Sequence, residues 1–315
     1  MKGEHTFTIQ VITYNPNWDK LKFTLDSILL QSFKDYELII VDDGSKDCLE
    51  EKIDEYVIDH GISNFQHIKN ECNQGTVKNI ISGLEEAKGK YVRCFGTGDA
   101  FASTESLQMI YDYLEENDID ACWGLVQSFI YDNKGKRHSV YRAKPFDIDA
   151  YRMYNSRRIM ENMIVYSDQA HGASITMKRE KWLNYLNIIA DKVKYAEDLT
   201  QILVALDGEP IHLLDEVIIY YEEGDGISTG KNRTWLNRLQ DDVNQLYEYA
   251  QICYPENVFI RKRMYVNRFQ NITNLYFRTC LRFFINPGMV FYLGRALKQR
   301  IMKKHVKPIK GMIPL

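Results

Sequence analysis

The sequence predicts an α/β protein with a mostly parallel sheet that is flanked by helices and followed by a helical C-terminal extension. Near the N-terminus, short apolar runs alternate with segments whose apolar residues recur at helical spacing, and the loops between them are short. From Thr234 onward the pattern is helical throughout, with breaks near Pro255 and Pro287. We therefore divide the chain into an α/β domain, 1–230, and a helical, basic C-terminal region, 231–315.

The composition is that of a globular protein from a reducing compartment. A chain of 315 residues with 45% apolar content can bury one large core. Its six cysteines include no Cys-x-x-Cys pair, which disfavours a disulfide framework or a zinc site. The N-terminus shows no basic-then-apolar signal region, and no run approaches the ~18 apolar residues that a membrane-spanning helix needs. We expect a cytoplasmic protein.

Charge is distributed unevenly along the chain. Thirteen of the 40 Lys and Arg residues lie in 261–315, which contains no Asp or Glu, so the preceding residues carry a net charge of −16 against −3 overall. Aromatic residues are interleaved with these cations: Tyr265, Phe269, Tyr276, Phe277, Phe283, Phe284, Phe291 and Tyr292. A basic, aromatic, helical segment suits an anionic membrane surface, which predicts a peripheral location at the inner face of the plasma membrane. Nucleic acid is disfavoured because no binding motif accompanies the charge; a third interpretation is a helical appendage that packs on the body.

The first strand and helix are well marked. Phe7–Thr13 is an apolar, β-branched run, as expected of a buried strand, and Asn15-Pro16-Asn17 ends it. Trp18–Gln31 has apolar residues at helical spacing, with Asn17 as the predicted N-cap. The next predicted elements are strands at Tyr36–Val41, Phe65–Ile68 and Tyr91–Phe95, and helices at Lys46–His60 and Thr76–Ala87.

Three polar segments directly follow predicted strands. They are Thr13-Tyr14-Asn15, Asp42-Asp43-Gly44-Ser45 and Gly96 to Asp99. Because ligands bind at the carboxyl ends of parallel strands, we expect these segments to line one site. Beyond them the pattern loosens, with predicted helices at Ser103–Glu116, Asp147–Val165, Lys178–Leu186 and Glu197–Leu206, strands at Ala173–Met177 and Ile211–Tyr221, and an apolar stretch at Ala121–Tyr131.

Several motifs occur together in a recognisable order. They are Ile9–Asn15 (IQVITYN), Leu25–Phe33 (LDSILLQSF), Tyr36–Ser45 (YELIIVDDGS), Asn73-Gln74-Gly75 with Asn79, Ala87–Val92 (AKGKYV), His171–Ser174 with Met177–Arg179, and Ala196–Leu199. This order resembles family 2 glycosyltransferases of the bacterial surface-polysaccharide type, over about Phe7 to Ser228. The resemblance implies a GT-A fold, the Rossmann-like fold of nucleotide-diphospho-sugar transferases.

The resemblance implies a nucleotide site at the ends of the first two strands. In the family the second acid of the Asp42-Asp43 pair accepts a hydrogen bond from the uracil ring, and a carboxylate selects a base edge that offers a donor. The alternative is an ordinary, solvated Asx turn. Thr13, Tyr14 and Asn15 are expected to line the same base pocket, or to form a plain strand-to-helix turn.

Three further residues complete the predicted nucleotide site. Gly75 opens a predicted helix, where a glycine lets the backbone approach a ligand, although an ordinary helix start is an equal alternative. Asn79 carries over from the family as a structural or ribose-side contact. Gly98 lies in the turn after the fourth strand and is assigned to nucleotide binding.

That turn departs from the family pattern. The family's metal-binding Asp-x-Asp falls on Gly96-Thr97-Gly98, so both acids are replaced, and the acid that follows is Asp99. A divalent cation usually needs one or two carboxylates together with phosphate oxygens, so Asp99 is the predicted ligand for Mn²⁺ or Mg²⁺ if a metal is used. The alternative is that Asp99 caps a helix near Phe101.

A second acidic pair is the predicted catalytic centre. Inverting sugar transfer needs a base for the acceptor hydroxyl, and by resemblance Asp198 is that base, with Glu197 placing it or contacting the acceptor. The alternative is that both acids simply favour a helix N-terminus. His171, Lys178 and Arg179 are predicted on the acceptor side. Candidate cations for the leaving diphosphate are Lys178, Arg179, Lys231 and Arg233.

Together these patterns predict an inverting, hexosyltransferase-type glycosyltransferase. It would move a sugar from a nucleotide donor, expected to be UDP-linked, to a hydroxyl of a glycan or lipid-linked acceptor in cell-surface polysaccharide synthesis. The rival hypothesis is a non-catalytic sugar-nucleotide-binding module, suggested by the altered Asp-x-Asp. A nucleotidyltransferase is disfavoured because no Gly-rich phosphate loop with a basic residue lies near the first strand.

Overall fold

The structure of the protein is a computed structural model. It describes residues 5–140, 144–208, 210–224, 233–269, 274–302 and 311–315. Within those ranges, strands β1 to β9 form one sheet in the order β3-β2-β1-β4-β8-β6-β9-β5, and β7 pairs with β6. The strands are β1 His5–Thr13, β2 Tyr36–Asp42, β3 Phe65–Lys69, β4 Gly89–Gly96, β5 Ala100–Phe101, β6 Ala121–Tyr131, β7 Arg137–Val140, β8 Ile175–Lys178 and β9 His212–Glu222.

Helices cover both faces of this sheet and continue beyond it. They are α1 Trp18–Leu29, α2 Glu50–Asp59, α3 Thr76–Glu86, α4 Ser106–Glu116, α5 Ile148–Arg152, α6 Ser156–Tyr166, α7 Arg179–Ile189, α8 Thr200–Leu206, α9 Arg233–Cys253, α10 Val258–Asn267, α11 Leu275–Ile285 and α12 Gly288–Met302. The predicted α/β class with a helical C-terminal part is confirmed. The breaks near Pro255 and Pro287 fall between α9 and α10 and between α11 and α12, as expected.

The first four strands form the parallel part of the sheet. β1 pairs in parallel with β2 and with β4, and β2 pairs in parallel with β3. Among the buried residues of β1, β2 and β4, apolar side chains outnumber polar ones such as Gln10, Asp42 and Arg93. The Asn17 side chain accepts a hydrogen bond from the Lys20 amide at 3.2 Å, which confirms the predicted cap of α1. The alternation of strands and helices therefore brings the ends of β1, β2 and β4 to one edge.

The second half of the sheet is mixed. β8 runs antiparallel to both β4 and β6, whereas β9 runs parallel to β6. The apolar stretch Ala121–Tyr131 is strand β6, in the middle of this half. The predicted helix 147–165 is two helices, α5 and α6, separated at Tyr154, whose φ of 43° does not fit a helix.

Two predicted elements begin with a tight turn instead of their regular structure. Gly172–Ser174 forms a 3-10 turn before β8, and Glu197–Leu199 forms another before α8. Both turns lie at the same edge as the carboxyl ends of β1 and β4. Each turn changes the direction of the chain at predicted site residues. The first follows His171, and the second contains Glu197 and Asp198.

The C-terminal helices differ in how they meet the body. α9 is integrated into the core, where Leu246, Tyr247 and Ala250 are buried. In contrast, α11 and α12 expose several large apolar side chains. Among the described residues, no helix is both long enough and apolar enough to cross a membrane. The last residues return to the sheet, where the Ile313 amide donates to the Ala102 carbonyl at 2.9 Å.

Candidate functional site

A cleft of about 720 Å³ opens at the carboxyl ends of β1 and β4. Its walls come from the loop before α1 and the first turn of that helix, the turn after β4, the two 3-10 turns, the end of β9 and one face of α9. The predicted site residues that line it are Tyr14, Asn15, Asp99, His171, Glu197 and Asp198. The fold therefore brings together groups that are separated by more than half of the chain.

Asp42 joins the end of β1 to the turn that follows β2. It is fully buried and accepts from the Thr13 hydroxyl at 2.9 Å and from the Ser45 amide and hydroxyl at 2.7 and 2.6 Å. This is Asx-turn chemistry, but in a buried setting and not in solvent. Asp42 and Thr13 thus hold the ends of β1 and β2 together.

Asp43 joins the end of β2 to the start of α3. Its two oxygens accept from the amides of Gln74 at 2.9 Å and Gly75 at 2.8 Å. Gly75 has a φ of +91°, a conformation that glycine adopts without strain. Asn79 ties the same region together by donating to the Val41 carbonyl at 3.3 Å. Asp43, Gly75 and Asn79 thus hold β2 and α3 together, but none of the three is among the described residues that line the cleft, whereas Tyr14 lines it and is 54% exposed.

The turn after β4 is filled by a carboxylate from another strand. Gly98 has a φ of +104°, and a Cβ at this position would overlap the Glu222 carboxylate at the end of β9. The same carboxylate is bound by the Lys20 ammonium, with Nζ 2.5 Å from Oε1. Both Lys20 and Glu222 line the cleft. Gly98 itself contributes through its lack of a side chain.

Asp99 follows Gly98 and is almost fully buried. Its carboxylate accepts from the Glu222 amide at 3.2 Å, and burial raises its pKa to about 7. The residue begins no helix, because β5 follows it directly and α4 starts only at Ser106. The predicted alternative role as a helix cap is therefore wrong.

The turn after β4 offers few donor groups for a divalent metal. Asp99 offers one carboxylate, and the neighbouring carboxylate of Glu222 is already neutralised by Lys20. A hard dication prefers one or two available carboxylates, and an ammonium next to it is unfavourable. These residues do not fit the usual metal centre. A separate group, Glu50, Asp54 and His67, has possible ligand atoms within 4.8 Å of one another, but it lies on α2 and β3, away from the cleft lining.

Glu197 and Asp198 lie side by side in the 3-10 turn before α8. Burial raises the pKa of both, and the charge of Asp198 raises that of Glu197 further, to about 8. Asp198 is the better stabilised anion, because its Oδ2 accepts from the Gln169 amide nitrogen at 3.0 Å and the charge of Lys144 lowers its pKa. Glu197 is therefore protonated at neutral pH, and Asp198 is the member of the pair that ionises more readily.

The predicted acceptor-side residues separate into two groups. His171 lines the cleft, and burial lowers its pKa to about 4, so it is neutral at pH 7. Lys178 lies at the opposite edge of the sheet, paired with Tyr91 in register and with its Nζ 2.5 Å from Asp120. Arg179 donates to the Leu84 carbonyl at 3.4 Å. Neither of these two cations lines the cleft, because β8 runs antiparallel to β4 and carries them away from it.

Of the other cation candidates, Arg233 begins α9 and is exposed, and Lys231 lies outside the described residues.

Sequence reasoning missed a carboxylate that supports the acidic pair. Asp242 on α9 accepts from three consecutive amides, those of Lys194, Tyr195 and Ala196, at 2.9, 2.7 and 3.0 Å. These amides directly precede Glu197. The same helix presents Leu239, Val243 and Tyr247 to the cleft. A single Asp within a long amphipathic helix gives no sequence signal for such a role.

A second missed residue is Arg93 on β4. Its side chain is fully buried and donates to the Ile175 carbonyl at 2.7 Å and to the Ala173 carbonyl. Burial lowers its pKa to about 10. Arg93 therefore fastens the 3-10 turn after His171 to the central strand. An arginine inside an apolar strand pattern was the available signal.

Comparison with known proteins gives one family and several relatives. The model of the family described as "Glycosyl transferase family 2" matches residues 8–179. The poly(ribitol-phosphate) beta-N-acetylglucosaminyltransferase TarP of Staphylococcus aureus is 36% identical over 135 residues, which cover 42% of this chain and 38% of TarP. Glycosyltransferase GlyA of Streptococcus pneumoniae is 27% identical over 263 residues, 81% of this chain and 36% of GlyA. The uncharacterized glycosyltransferase EpsJ of Bacillus subtilis is 25% identical over 63% of this chain and 56% of EpsJ.

The chain therefore spans between 36% and 56% of the length of these three relatives. Among solved structures, the mannosyltransferase PcManGT of Pyrobaculum calidifontis, in complex with GDP-Man and Mn²⁺, has a TM-score of 0.59 at 16% identity, over 95% of this chain and 83% of that one. TarS 1–349 of S. aureus, in complex with UDP, has a TM-score of 0.50 at 16% identity, over 99% and 95%. At these identities the likeness concerns the fold.

Proposed function

Because the chain belongs to glycosyl transferase family 2, we propose that it transfers a sugar from a UDP-linked donor to a hydroxyl of a glycan or lipid-linked acceptor. The observation that carries this proposal is the pair Glu197 and Asp198, which lies in the same cleft as the turn after β4. A UDP donor is supported by the resemblance of the Asp42-Asp43 pair to the family's base-binding acids and by the UDP complex of TarS, which shares the fold.

The proposed reaction is a direct displacement with inversion. The acceptor oxygen forms a bond to the anomeric carbon while the bond from that carbon to the β-phosphate oxygen breaks. The bonding electrons leave with the nucleoside diphosphate, and the acceptor proton goes to Asp198. Such a base must be ionised and within hydrogen-bond reach of the attacking hydroxyl. The Gln169 hydrogen bond and the charge of Lys144 favour that state in Asp198.

The neighbouring groups have supporting roles in this proposal. Glu197 keeps its proton at neutral pH, which leaves a single negative charge in the pair. His171, neutral and packed at 4.1 Å between ring centroids against Tyr221, is an acceptor-side wall and not a cation. Gly172 leaves room for the base, because a Cβ there would come within 2.6 Å of the Asp198 Cβ.

An isosteric substitution tests the reaction. Asp198→Asn keeps the size of the side chain but removes the base, so we expect turnover of UDP-sugars to fall by about 10²–10⁴-fold while UDP affinity is kept. Asp207→Asn is the matched control, since Asp207 lies at the end of α8, where it accepts from Tyr185 at 2.7 Å outside the cleft lining. Full turnover in Asp198→Asn would reject the assigned base.

The rival function is a sugar-nucleotide-binding module without catalysis. It is motivated by the turn, which has lost both acids of the family's Asp-x-Asp. The intact acidic pair and its support by Gln169 and Asp242 favour the enzyme. Product formation from a panel of UDP-sugars with lipid-linked and soluble acceptors distinguishes the two, because a pure binding module gives none.

We also propose that residues 261–315 place the enzyme on an anionic membrane surface, at the inner face of the plasma membrane. The exposed apolar face consists of residues on α11 and α12: Tyr276, Phe277, Phe284, Val290, Phe291, Leu293, Leu297 and Ile301. Phe284 is 85% and Ile301 72% exposed. No acidic residue occurs in this region. Apolar side chains that enter the headgroup layer beside cations are the usual features of an interfacial helix.

The other face of α12 is fixed to the body by polar groups. Tyr292 stacks on Tyr166 with ring centroids 4.4 Å apart, and Arg295 Nε lies 2.7 Å from Asp147 Oδ2. The helix thus turns Tyr292 and Arg295 toward the protein and leaves most of its large apolar side chains outward, whereas a helix that only covers a core buries its apolar side. This orientation supports membrane contact over simple packing on the body.

Vesicle flotation tests the membrane contact. Phe284→Glu combined with Phe291→Glu is expected to lower binding to vesicles rich in phosphatidylglycerol by about tenfold or more. Ile252→Glu, at a residue of α9 that is 78% exposed, introduces one such negative charge away from this face and should bind as the wild type does. Equal binding of all three proteins, or a wild type that ignores anionic vesicles, would refute the contact.

A further inference from the structure

We propose that Tyr292 and Arg295 of α12 position the catalytic base Asp198, because they clamp the two chain segments that reach its carboxylate. This inference rests on the proposed sugar transfer with Asp198 as base. Neither of the two α12 residues is among the described residues that line the cleft. They act through other side chains and touch no substrate, so they are positioning residues.

The first link is the contact between Gln169 and the base. Gln169 Nε2 donates to Asp198 Oδ2 at 3.0 Å, and both residues line the cleft. A hydrogen bond to the charged form favours that form and fixes the direction of the carboxylate. The orientation of Asp198 therefore depends on where the segment 166–169 places the Gln169 amide.

The second link is Asp168, which ties this segment to the segment 144–147. Its carboxylate is 2% exposed and accepts from the amides of Phe146 at 2.7 Å and Asp147 at 3.1 Å. At the start of the second segment, Lys144 lines the cleft, and its charge lowers the pKa of the base. The two segments are therefore held together, and each brings a side chain toward the base.

The third link joins Arg295 of α12 to the carboxylate of Asp147. Arg295 Nε lies 2.7 Å from Asp147 Oδ2, and the Asp147 side chain is 1% exposed. From α6, Arg158 Nε and Asn162 Nδ2 donate to the same oxygen at 2.8 and 2.9 Å. Asp147 is thus held between two helices. Removing one partner of a buried ion pair is costly, because the remaining charge loses compensation that water does not replace.

The fourth link joins Tyr292 to the start of the first segment. Its ring stacks on the ring of Tyr166, with centroids 4.4 Å apart and an angle of 9° between the planes. The Tyr166 hydroxyl accepts from Asn286 Nδ2 at 3.0 Å, so the corner between α11 and α12 contacts the same residue. Tyr166 is the last residue of α6, three positions before Gln169. Helix α12 therefore fixes both segments, one through a carboxylate and the other through a ring.

The clamp affects the reaction because a general base works only within hydrogen-bond reach of the attacking hydroxyl. A displacement of a catalytic group by ~1 Å can lower a rate by about 10²-fold. The residues predicted to bind the nucleotide follow β1, β2 and β4, whereas the clamp acts on the segments that flank α5 and α6. Loss of the clamp should therefore lower kcat and leave the affinity for UDP unchanged.

The test is steady-state transfer by the full chain, with the UDP-sugar and soluble acceptor that the wild type uses and without vesicles, so that membrane contact plays no part. We expect Arg295→Met combined with Tyr292→Leu to lower kcat by about tenfold or more, with unchanged calorimetric affinity for UDP. Restoring the charge with Arg295→Lys should recover part of the loss. Arg152→Met is the matched control, since Arg152 Nε donates to Asp215 Oδ2 at 2.9 Å outside the cleft lining.

The outcomes separate this inference from the proposed function. Transfer by the wild type with an equal kcat in the double variant and in Arg152→Met would keep the proposed function but overturn the positioning role. A UDP affinity that falls as far as kcat would overturn it as well, because it would indicate a general loss of structure, which thermal unfolding of the same samples detects. Absence of transfer by the wild type with every UDP-sugar would reject the proposed function and this inference together.

Discussion

Replacing Asp242 is expected to damage the catalytic pair without touching it. This α9 carboxylate accepts from the amides of residues 194, 195 and 196 at 2.9, 2.7 and 3.0 Å, and the next residues are Glu197 and Asp198. Asp242 is only 6% exposed. It therefore fixes the position of the chain at the point where it enters the acidic turn.

The size of the effect follows from the number of bonds. A hydrogen bond to a charged group contributes ~1.5–3 kcal/mol, and water that enters at the cleft edge replaces part of three such bonds. We expect Asp242→Ala to lower the free energy of unfolding by about 3–5 kcal/mol, and Asp242→Asn, which keeps one acceptor oxygen, by about half as much. A shift of the acidic turn by ~1 Å should also lower kcat/KM by about 10²-fold.

Asp242 also affects the titration of Glu197. Burial is the main cause of the raised pKa of Glu197, about 8, and the charges of Asp198, Asp99 and Asp242 raise it further. Removing the Asp242 charge lowers that pKa. If protonated Glu197 is the active form, the alkaline limb of the kcat/KM profile moves to lower pH.

The assay is urea unfolding together with a pH profile of transfer for Asp242→Asn and for the control Asp241→Asn. Asp241 is adjacent in sequence but exposed, so its substitution should change neither quantity. A loss in Asp242→Asn no larger than in Asp241→Asn would refute the anchoring role. A loss of activity with an unmoved alkaline limb would refute the electrostatic part of the reasoning.

Three more outcomes follow from buried groups near the turn. Gly98→Ala combines a φ of +104° with overlap of the Glu222 carboxylate, and should cost about 1–3 kcal/mol of stability by urea unfolding; an unchanged midpoint would contradict this. Asp99 has a pKa of about 7 in the fold, above its unfolded value near 3.9, so stability should fall as pH rises between these values, and Asp99→Asn should remove that slope in thermal scans. Arg93→Lys cannot serve both the Ala173 and Ile175 carbonyls with the same geometry, and should cost about 1–3 kcal/mol, with wild-type stability as the contrary result.

The first half of the fold was predictable because its signals are local. The apolar run ending at Thr13, the cap at Asn17 and the acids after Val41 each depend on neighbours in sequence. Parallel pairing of consecutive units then places their carboxyl ends together. The second half depends on pairings between distant segments. Nothing in Ile175–Lys178 itself indicates that it runs antiparallel between β4 and β6, and this direction is what carries Lys178 and Arg179 away from the cleft.

The same distinction applies to the site. Asp43, Asp99, Glu197 and Asp198 belong to short motifs. The structure places the last three on the cleft lining, whereas Asp43 accepts from the Gly75 amide and is not among the described lining residues. In contrast, the Lys20–Glu222 contact joins residues about two hundred positions apart, and no spacing rule marks it. Asp242 can bind the amides before Glu197 only because α9 packs beside the acidic turn. Long-range contacts of this kind depend on the assembled fold, whereas a motif can be recognised before folding is considered.

If missing carboxylates are what keep a divalent cation from the turn, restoring one at a strain-free position should create metal dependence. Gly96 is that position, because a Cβ there would meet only the Asp99 Oδ2, at an ordinary 3.6 Å. Gly96→Asp therefore places a second carboxylate beside Asp99, and two carboxylates with phosphate oxygens are a suitable ligand set for Mn²⁺. We expect Mn²⁺ to tighten UDP binding by about tenfold in Gly96→Asp and to have little effect in Gly96→Asn, which has the same size without the charge. Equal responses of the two variants to Mn²⁺ in calorimetry would refute the idea that missing carboxylates keep a divalent cation from this turn.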